Sequence, residues 1–145
     1  MESSASPKSK GKKKWVVIGT IIVVVIIVGI LASLPPSRTN LVQSGTVEVL
    51  QPAHYYGSQF TISSAKTIYG SASSTNGFVF YIMTPSSYSS WISNTSSVPS
   101  SYVYTSGQAT SGSFNTNLAS GTYYALFYNS ASVNSTVTIN DLYVT

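Results

Sequence analysis

The side chains that most often perform catalysis or hold metal ions are scarce in this chain. Its 145 residues include one histidine, three acidic residues and no cysteine. His54, Glu48 and Asp141 are too few for a typical metal site, and the many serines have no evident base to activate them. We therefore expect no catalytic, cofactor-binding or metal-binding residues and no enzymatic activity. A cleft that contains His54 together with Glu48 or Asp141 would reopen an enzymatic interpretation.

The strongest feature of the sequence is an uncharged apolar run, Trp15–Leu34. A helix of these 20 residues would be about 30 Å long, which matches the hydrocarbon core of a bilayer. The run is longer than the apolar core of a signal peptide, and Pro35 and Pro36 follow it in place of an Ala-x-Ala cleavage site. We therefore predict an uncleaved transmembrane signal anchor, with Trp15 at the cytoplasmic interface.

The segment before this run, residues 1–14, is basic and rich in serine. It contains five lysines, of which Lys12, Lys13 and Lys14 directly precede the apolar run. Because such a segment cannot bury enough apolar surface to fold, we expect a disordered tail. The positive-inside rule places this tail in the cytoplasm and the C-terminal residues outside the cell. The net charge of +4 arises from the tail, so we expect no nucleic-acid partner.

The pattern changes after a short proline-rich spacer, residues 35–40. Residues 41–145 alternate short β-prone runs with turn signals about every 8–12 residues, which is typical of an all-β sandwich. We predict a single extracellular β-sandwich domain of about seven or eight strands. The β-prone runs are Thr46–Leu50, Phe60–Ile62, Thr67–Tyr69, Phe78–Met83, Tyr102–Tyr104, Ser113–Leu118, Thr122–Tyr128, Ser135–Asn140 and Leu142–Val144.

The most apolar of these runs, Phe78–Met83, suits a central strand that is covered on both faces. The Asn-Gly-containing segment Ser73–Gly77 predicts a turn before it. Gly107 and Gly112 likewise indicate a turn region between two later strands.

One short helix interrupts the strand pattern. Thr84 is suited to the N-cap and Pro85 to the first helical position. Tyr88, Trp91 and Ile92 fall on one helical face. We expect these side chains to pack across the end of the sandwich.

The domain shows a likeness to a known family in two stretches, GFVFYIMTPSSYSSW and GSFNTNLASGTYYALFYNSASVNSTVTINDLYV. Together they resemble β-sandwich domains of prokaryotic surface proteins in the pre-peptidase C-terminal and GOLD-like group. The resemblance implies a β-sandwich fold and a non-catalytic ectodomain or accessory module, and it supplies no binding residues. The N-terminal anchor departs from the usual layout of an accessory module. The matching positions are Tyr81, Tyr88, Trp91, Gly121, Tyr123, Tyr124 and Asn129.

All 11 tyrosines follow the predicted anchor. Because neighbouring residues of a strand point to opposite faces, about half should be buried or half-buried. We assign Tyr81 and one of Tyr123 and Tyr124 to the core. The tyrosines that we expect to be exposed, as a contact surface for sugars or a protein partner, are Tyr55, Tyr56, Tyr102 and Tyr104.

Two N-glycosylation sequons begin at Asn94 and Asn134, both in serine-rich predicted loops. Attached sugars and hydroxyl groups would keep this weakly charged surface soluble. Because the surface has few carboxylates, acid should destabilise it little. Both features favour an archaeal or other extremophile cell surface.

The sequence thus predicts a single-pass membrane protein whose outer domain is a non-catalytic interaction or envelope-structural module. The bilayer is one partner, and another envelope protein or a second copy is the other. Two alternatives stay open. In a pilin-like subunit Trp15–Leu34 would form the core of a filament, and the mature chain would begin near that run. A virion membrane protein of an archaeal virus would have the same sequence pattern.

Overall fold

The computed structural model describes residues 37–93 and 98–145. Ser37–Thr145 forms one compact unit. The predicted tail, the anchor and the first residues of the spacer lie outside the described residues. Within the described part, no helix is long and apolar enough to cross a membrane.

The described residues form seven strands and one helix, which confirms the predicted all-β class. All strand pairs are antiparallel. In chain order the elements are β1 (Thr39–Asn40), β2 (Thr46–Leu50), β3 (Tyr55–Ile62), β4 (Lys66–Met83), α1 (Pro85–Ile92), β5 (Tyr104–Leu118), β6 (Gly121–Tyr128) and β7 (Ser135–Val144).

The long strand β4 organises the sheet. It pairs with β5 along one edge, and its other edge is divided between two partners. Ile68–Ser74 pair with β7, whereas Val79–Met83 pair with β6. Strands β1 and β2 continue the sheet beyond β7, and β3 continues it beyond β6. The sheet therefore forks at β4, and its two branches curl around a shared interior in a sandwich-like arrangement.

The interior is an apolar cluster with side chains from every described strand except β1. Its centre is aromatic, since the ring of Phe80 stacks on Phe114 with centroids 4.0 Å apart and lies 4.9 Å from Phe127. Phe80 is completely buried and Phe127 nearly so. Burial of each such side chain stabilises the fold by about 1.5–3 kcal/mol. This core joins the two branches of the sheet.

Helix α1 begins as predicted, with Thr84 as N-cap and Pro85 in the first turn, and the Thr84 side chain accepts a hydrogen bond from Ser87 N–H. Its predicted position at the end of the sandwich is wrong, because the helix covers the outer face of the β6 branch. There Trp91 packs in a second apolar cluster with side chains of β4 and β6. In Phe78–Met83 both alternating sets of side chains are apolar, so the outer set also needs a cover. The prediction of a strand buried on both faces is confirmed.

Both predicted internal turns are wrong. Residues 73–77 and 107–112 lie inside β4 and β5, which run through them as single strands of 18 and 15 residues. Gly77 and Gly107 have positive φ angles of 97° and 68°, and register shifts interrupt the pairing beside both. Glycine, asparagine and serine thus produce β-bulges here, not reversals of the chain. The predicted spacer also ends earlier, because its residues Thr39 and Asn40 pair with β7 as β1.

Hydroxyl groups occupy the places where the strand ladders are interrupted. Ser135 is fully buried, donates to the carbonyl oxygen of Gly77 at 2.8 Å and accepts from the backbone N–H of Asn76. Ser106 Oγ accepts from Phe80 N–H at 3.0 Å beside the second irregularity. Since a buried backbone group without a partner is costly, these side chains make the bulges possible.

A buried amide fixes the loop between β6 and β7. Asn129 is completely buried, and its side-chain N–H₂ donates to the carbonyl oxygens of Leu50 and Val133, both at 2.9 Å. Its Oδ1 accepts from Ala131 N–H at 2.9 Å. The loop is therefore tied to the end of β2, which belongs to the other branch of the sheet.

Substitution of Gly70 should test the packing between β4 and β5. A Cβ atom at Gly70 would lie 2.1 Å from the ring of Phe114, whereas at Gly112 it would meet nothing within 4 Å. We expect Gly70→Ala to lower the free energy of unfolding by about 1–3 kcal/mol. The matched variant Gly112→Ala should change it by less than about 0.5 kcal/mol. Chemical denaturation measures both, and equal losses would contradict the described register.

Removal of the Ser135 hydroxyl should test the hydrogen bonds at the fork. Ser135→Ala leaves the Gly77 carbonyl without this donor, so we expect a loss of about 1–3 kcal/mol in the free energy of unfolding. Ser132→Ala, at an exposed position of the preceding loop, is the control and should have little effect. An unchanged denaturation midpoint for Ser135→Ala would show that the fork does not depend on this hydroxyl.

Candidate interaction surfaces

The tyrosines predicted to form an exposed surface differ in their actual exposure. Tyr102 is 47% exposed, as expected. Tyr55, Tyr56 and Tyr104 are half-buried, so their predicted exposure is wrong. Tyr56 and Tyr104 pack against the interior core, and Tyr55 packs in the cluster below α1. Both faces of this sheet are therefore covered near these residues, which the alternation of the sequence does not reveal.

The two predicted core tyrosines are confirmed. Tyr81 is 4% exposed, and of the adjacent pair Tyr123 is buried whereas Tyr124 is half-buried. Of the positions that carry the family resemblance, none is exposed, and Asn129 and Trp91 are buried. These residues therefore hold the fold and do not form a free surface.

A second group of aromatic contacts lies between α1 and the sheet. Tyr88 stacks on Tyr124 with centroids 3.9 Å apart and planes 11° from parallel. The Tyr88 and Tyr55 hydroxyl groups are hydrogen-bonded at 2.7 Å. Trp91 meets the ring of Tyr128 edge-on at 5.7 Å. This layer fixes α1 on the sheet and leaves part of Tyr88 and Tyr124 accessible.

Burial in this layer changes the acidity of three phenols. It raises the pKa of Tyr88 to about 12, and the hydrogen bond with Tyr55 contributes to the increase. Burial also raises the pKa of Tyr81 and of Tyr128. In each case loss of solvent disfavours the charged phenolate. The layer therefore favours the neutral form of these tyrosines.

His54 and Glu48 lie in one groove. A cleft with these two side chains is the arrangement for which an enzymatic function has to be considered. The groove has a volume of about 310 Å³ and lies between β2 and β3. His54 Nδ1 lies 3.0 Å from the carbonyl oxygen of Pro52, so Nδ1–H donates to it. The residues described along its walls include no serine, threonine or cysteine to act as a nucleophile. The arrangement offers a carboxylate and an imidazole to a bound molecule.

Asp141 does not lie in that groove but on β7, opposite Ser71. Among the described residues, no three His, Cys, Asp or Glu side chains come close enough to hold a metal ion.

Of the two sequons, only the second is described. Asn134 is exposed, and its carbonyl oxygen accepts a hydrogen bond from the Asn76 side chain at 2.7 Å. Its loop therefore has a fixed backbone and an accessible acceptor amide. Asn94 lies outside the described residues, as do Lys12, Lys13, Lys14 and Trp15.

Sequence reasoning missed a pair of tyrosines on the outer face of the sheet, of which Tyr69 is exposed and Tyr143 half-buried. Tyr69 and Tyr143 lie opposite each other on β4 and β7, and their rings stack with centroids 5.4 Å apart. The guanidinium carbon of Arg38 lies 4.6 Å from the centre of the Tyr143 ring. The alternation of each strand places both tyrosines on the outer face, but their pairing depends on a register that local pattern does not determine.

Comparison with known proteins gives little further information. No protein-family model matches the chain, and no curated protein matches it in sequence. Among solved structures, the chain is similar to the pre-peptidase C-terminal domain of collagenase from Bacillus anthracis. The sequence identity is 18%, the TM-score is 0.47, and the match covers 78% of this chain and 100% of that one.

The raised pKa values predict a loss of stability in alkali. Well below pH 10 the three tyrosines are neutral in both the folded and the unfolded chain, so their full contribution to the free energy of unfolding is present. As the pH rises from 10 towards 12, the unfolded chain releases its phenolic protons first, and the free energy of unfolding falls. Tyr88→Phe should therefore lose less stability between pH 10 and pH 12 than the wild type.

Chemical denaturation at a series of pH values measures this difference. The free energy of unfolding of each protein is expressed relative to its own value at pH 8. This removes the effect of the lost hydrogen bond to Tyr55. Parallel curves for Tyr88→Phe and the wild type would contradict the assignment of a high pKa to Tyr88.

Proposed function

We propose that this protein is a single-pass membrane protein that displays a non-catalytic β-sandwich domain outside the cell. The observation that supports this most directly is the order of its segments. Five lysines precede an uncharged, predominantly apolar run of 20 residues, and four residues separate that run from strand β1. The lysines orient the anchor with the N-terminus in the cytoplasm. The domain is an interaction or structural module of a prokaryotic cell envelope, and its weakly charged, hydroxyl-rich surface favours an archaeal one.

The composition of the described domain supports a surface module. Its charged side chains are Arg38, Glu48, Lys66 and Asp141, whose formal charges cancel. Solubility therefore depends on hydroxyl and amide groups, to which sugars on Asn94 and Asn134 would add. The partners that we propose are the lipid bilayer and another envelope protein or a second copy of this chain.

The lack of a nucleophile beside Glu48 and His54 supports a binding role over catalysis for the domain. Hydrolysis by a serine or cysteine enzyme requires a nucleophile within hydrogen-bond reach of its base. In the groove, the imidazole has a carbonyl oxygen on one side, and the described lining residues include no serine, threonine or cysteine; the hydroxyl groups there are the phenols of Tyr55 and Tyr56. A half-buried carboxylate and an exposed imidazole suit the binding of a partner's polar groups.

The absence of cysteine makes the proposed topology directly testable. Two single-cysteine variants are used, Ser3→Cys in the tail and Thr110→Cys at an exposed position of β5, with the cysteine-free parent as control. A membrane-impermeant thiol reagent should label Thr110→Cys on intact cells and Ser3→Cys only after permeabilisation. The parent should remain unlabelled throughout.

The other outcomes separate the alternatives. Labelling of Ser3→Cys alone on intact cells would reverse the orientation and overturn the proposal. A mature chain that lacks residues 1–14, as shown by intact mass, would favour the pilin-like alternative. Release of labelled Thr110→Cys into the medium would show that the apolar run does not anchor the domain.

A further inference from the structure

The outer face of the branch formed by β5, β4 and β7 has a recess beside the stacked tyrosines. One row of paired residues across these strands is bulky and contains Tyr69 and Tyr143. The next row on the same face contains Ser71, Ser113 and Asp141, of which the two serines are small. This step from large to small side chains produces a recess of about 230 Å³. We call it the Tyr69 recess, and it is lined by Tyr69, Ser71, Ser113, Asn115, Asp141 and Tyr143.

The aromatic wall of the Tyr69 recess is held in place before any ligand binds. The Tyr69 and Tyr143 rings are 21° from parallel, and Arg38 supports Tyr143 through a cation–π contact. Tyr69 nevertheless remains 37% exposed. A rigid aromatic surface loses little conformational entropy on binding, which favours affinity.

The polar side chains of the recess are not hydrogen-bonded to other side chains of the described domain. None of the side chains of Ser71, Ser113, Asn115 and Asp141 makes a hydrogen bond or ion pair with another described residue. Elsewhere in the domain comparable groups are engaged, as in the hydrogen bond from Thr67 to Asn117 Oδ1 at 2.7 Å. The recess therefore combines hydroxyl, amide and carboxylate groups that can accept and donate hydrogen bonds to a ligand.

These features together identify the chemical class of the ligand. The negative face of an aromatic ring attracts polarised C–H groups, and a carboxylate on β7 and an amide on β5 can bind hydroxyl groups on two sides of one molecule. Sugar rings present both kinds of surface. A bare calcium ion would need about six to eight oxygen ligands, whereas the recess has a single carboxylate. A purely apolar ligand would leave the polar groups unpaired.

We propose that the Tyr69 recess binds a pyranose unit of a glycan. The sugar packs a C–H face against Tyr69, and its hydroxyl groups donate to Asp141 and exchange hydrogen bonds with Asn115. The proposal deepens the proposed surface-module function and depends on it for its biological setting. The binding chemistry itself does not require that the chain is anchored.

Binding is measured with the full-length protein in a detergent without a sugar headgroup, since maltoside or glucoside detergents would compete. The probes are biotinylated oligosaccharides of glucose, mannose and N-acetylglucosamine on an interferometry sensor. At least one probe should bind the wild type. Tyr69→Ala and Asp141→Ala should each weaken that binding about tenfold or more, because each removes a direct contact.

Two further variants separate a local from a general effect. Ser113→Trp fills the recess from an exposed position of β5 and should also abolish binding. Ile92→Ala removes a comparably exposed apolar side chain on α1, away from the recess, and should leave the affinity within about twofold. The proposal is overturned if no probe binds, or if Ile92→Ala weakens binding as much as Tyr69→Ala. The cysteine-labelling result is independent, so failure of the topology and failure of glycan binding can be told apart.

Discussion

The structure depends on one strand that changes its neighbours halfway along. β4 pairs with β7 as far as Ser74 and with β6 from Val79 onwards. Between these positions its backbone has no continuous ladder, although Gly77 and Phe78 are buried. Each unpartnered buried N–H or carbonyl group would cost about 1–3 kcal/mol. Without substitutes for the lost ladder bonds, the two branches could not diverge and enclose a core.

Serine and threonine side chains provide those substitutes. Ser74 Oγ accepts from Gly77 N–H at 3.0 Å, and Thr75 Oγ1 accepts from Thr136 N–H at 3.0 Å. A hydroxyl group can donate and accept, it is short, and it has no charge to desolvate. The hydroxyl-rich composition, which first indicates a soluble outer surface, therefore also has a structural role inside the fold. The fork also leaves the two outer faces different, since α1 covers the β6 branch and the Tyr69 recess lies open on the β7 branch.

The sequence pattern predicted those elements that are determined by residues close together in the chain. The N-cap at Thr84, the all-β class and the doubly covered strand Phe78–Met83 follow from residue type and spacing. The errors have a common physical origin. Ser73–Gly77 has the composition of a turn, but its neighbours on both sides are held in one strand by β5. Whether a glycine with positive φ reverses the chain or forms a bulge depends on pairing partners that are distant in sequence.

The same limit applies to the candidate sites. The scarcity of catalytic groups was evident from composition, but the meeting of Glu48 and His54 in one groove was not, because a loop brings them together. Tyr55, Tyr56 and Tyr104 were expected to be exposed since nothing local shows that α1 and the curled sheet cover them. Tyr69 and Tyr143 gave no signal as a pair, because they are separated by most of the domain in sequence.

The scarcity of charged residues in the described domain also affects its cleavage by proteases. An enzyme that cleaves after lysine or arginine finds two such residues in Ser37–Thr145, and residues 67–145 contain neither. Arg38 is held against the Tyr143 ring, and half-buried Lys66 lies at the first position of β4. Even a fully unfolded copy would keep most of its β-strands in one uncut piece. Resistance to such enzymes is therefore a property of this composition, and it does not by itself report that the domain is folded.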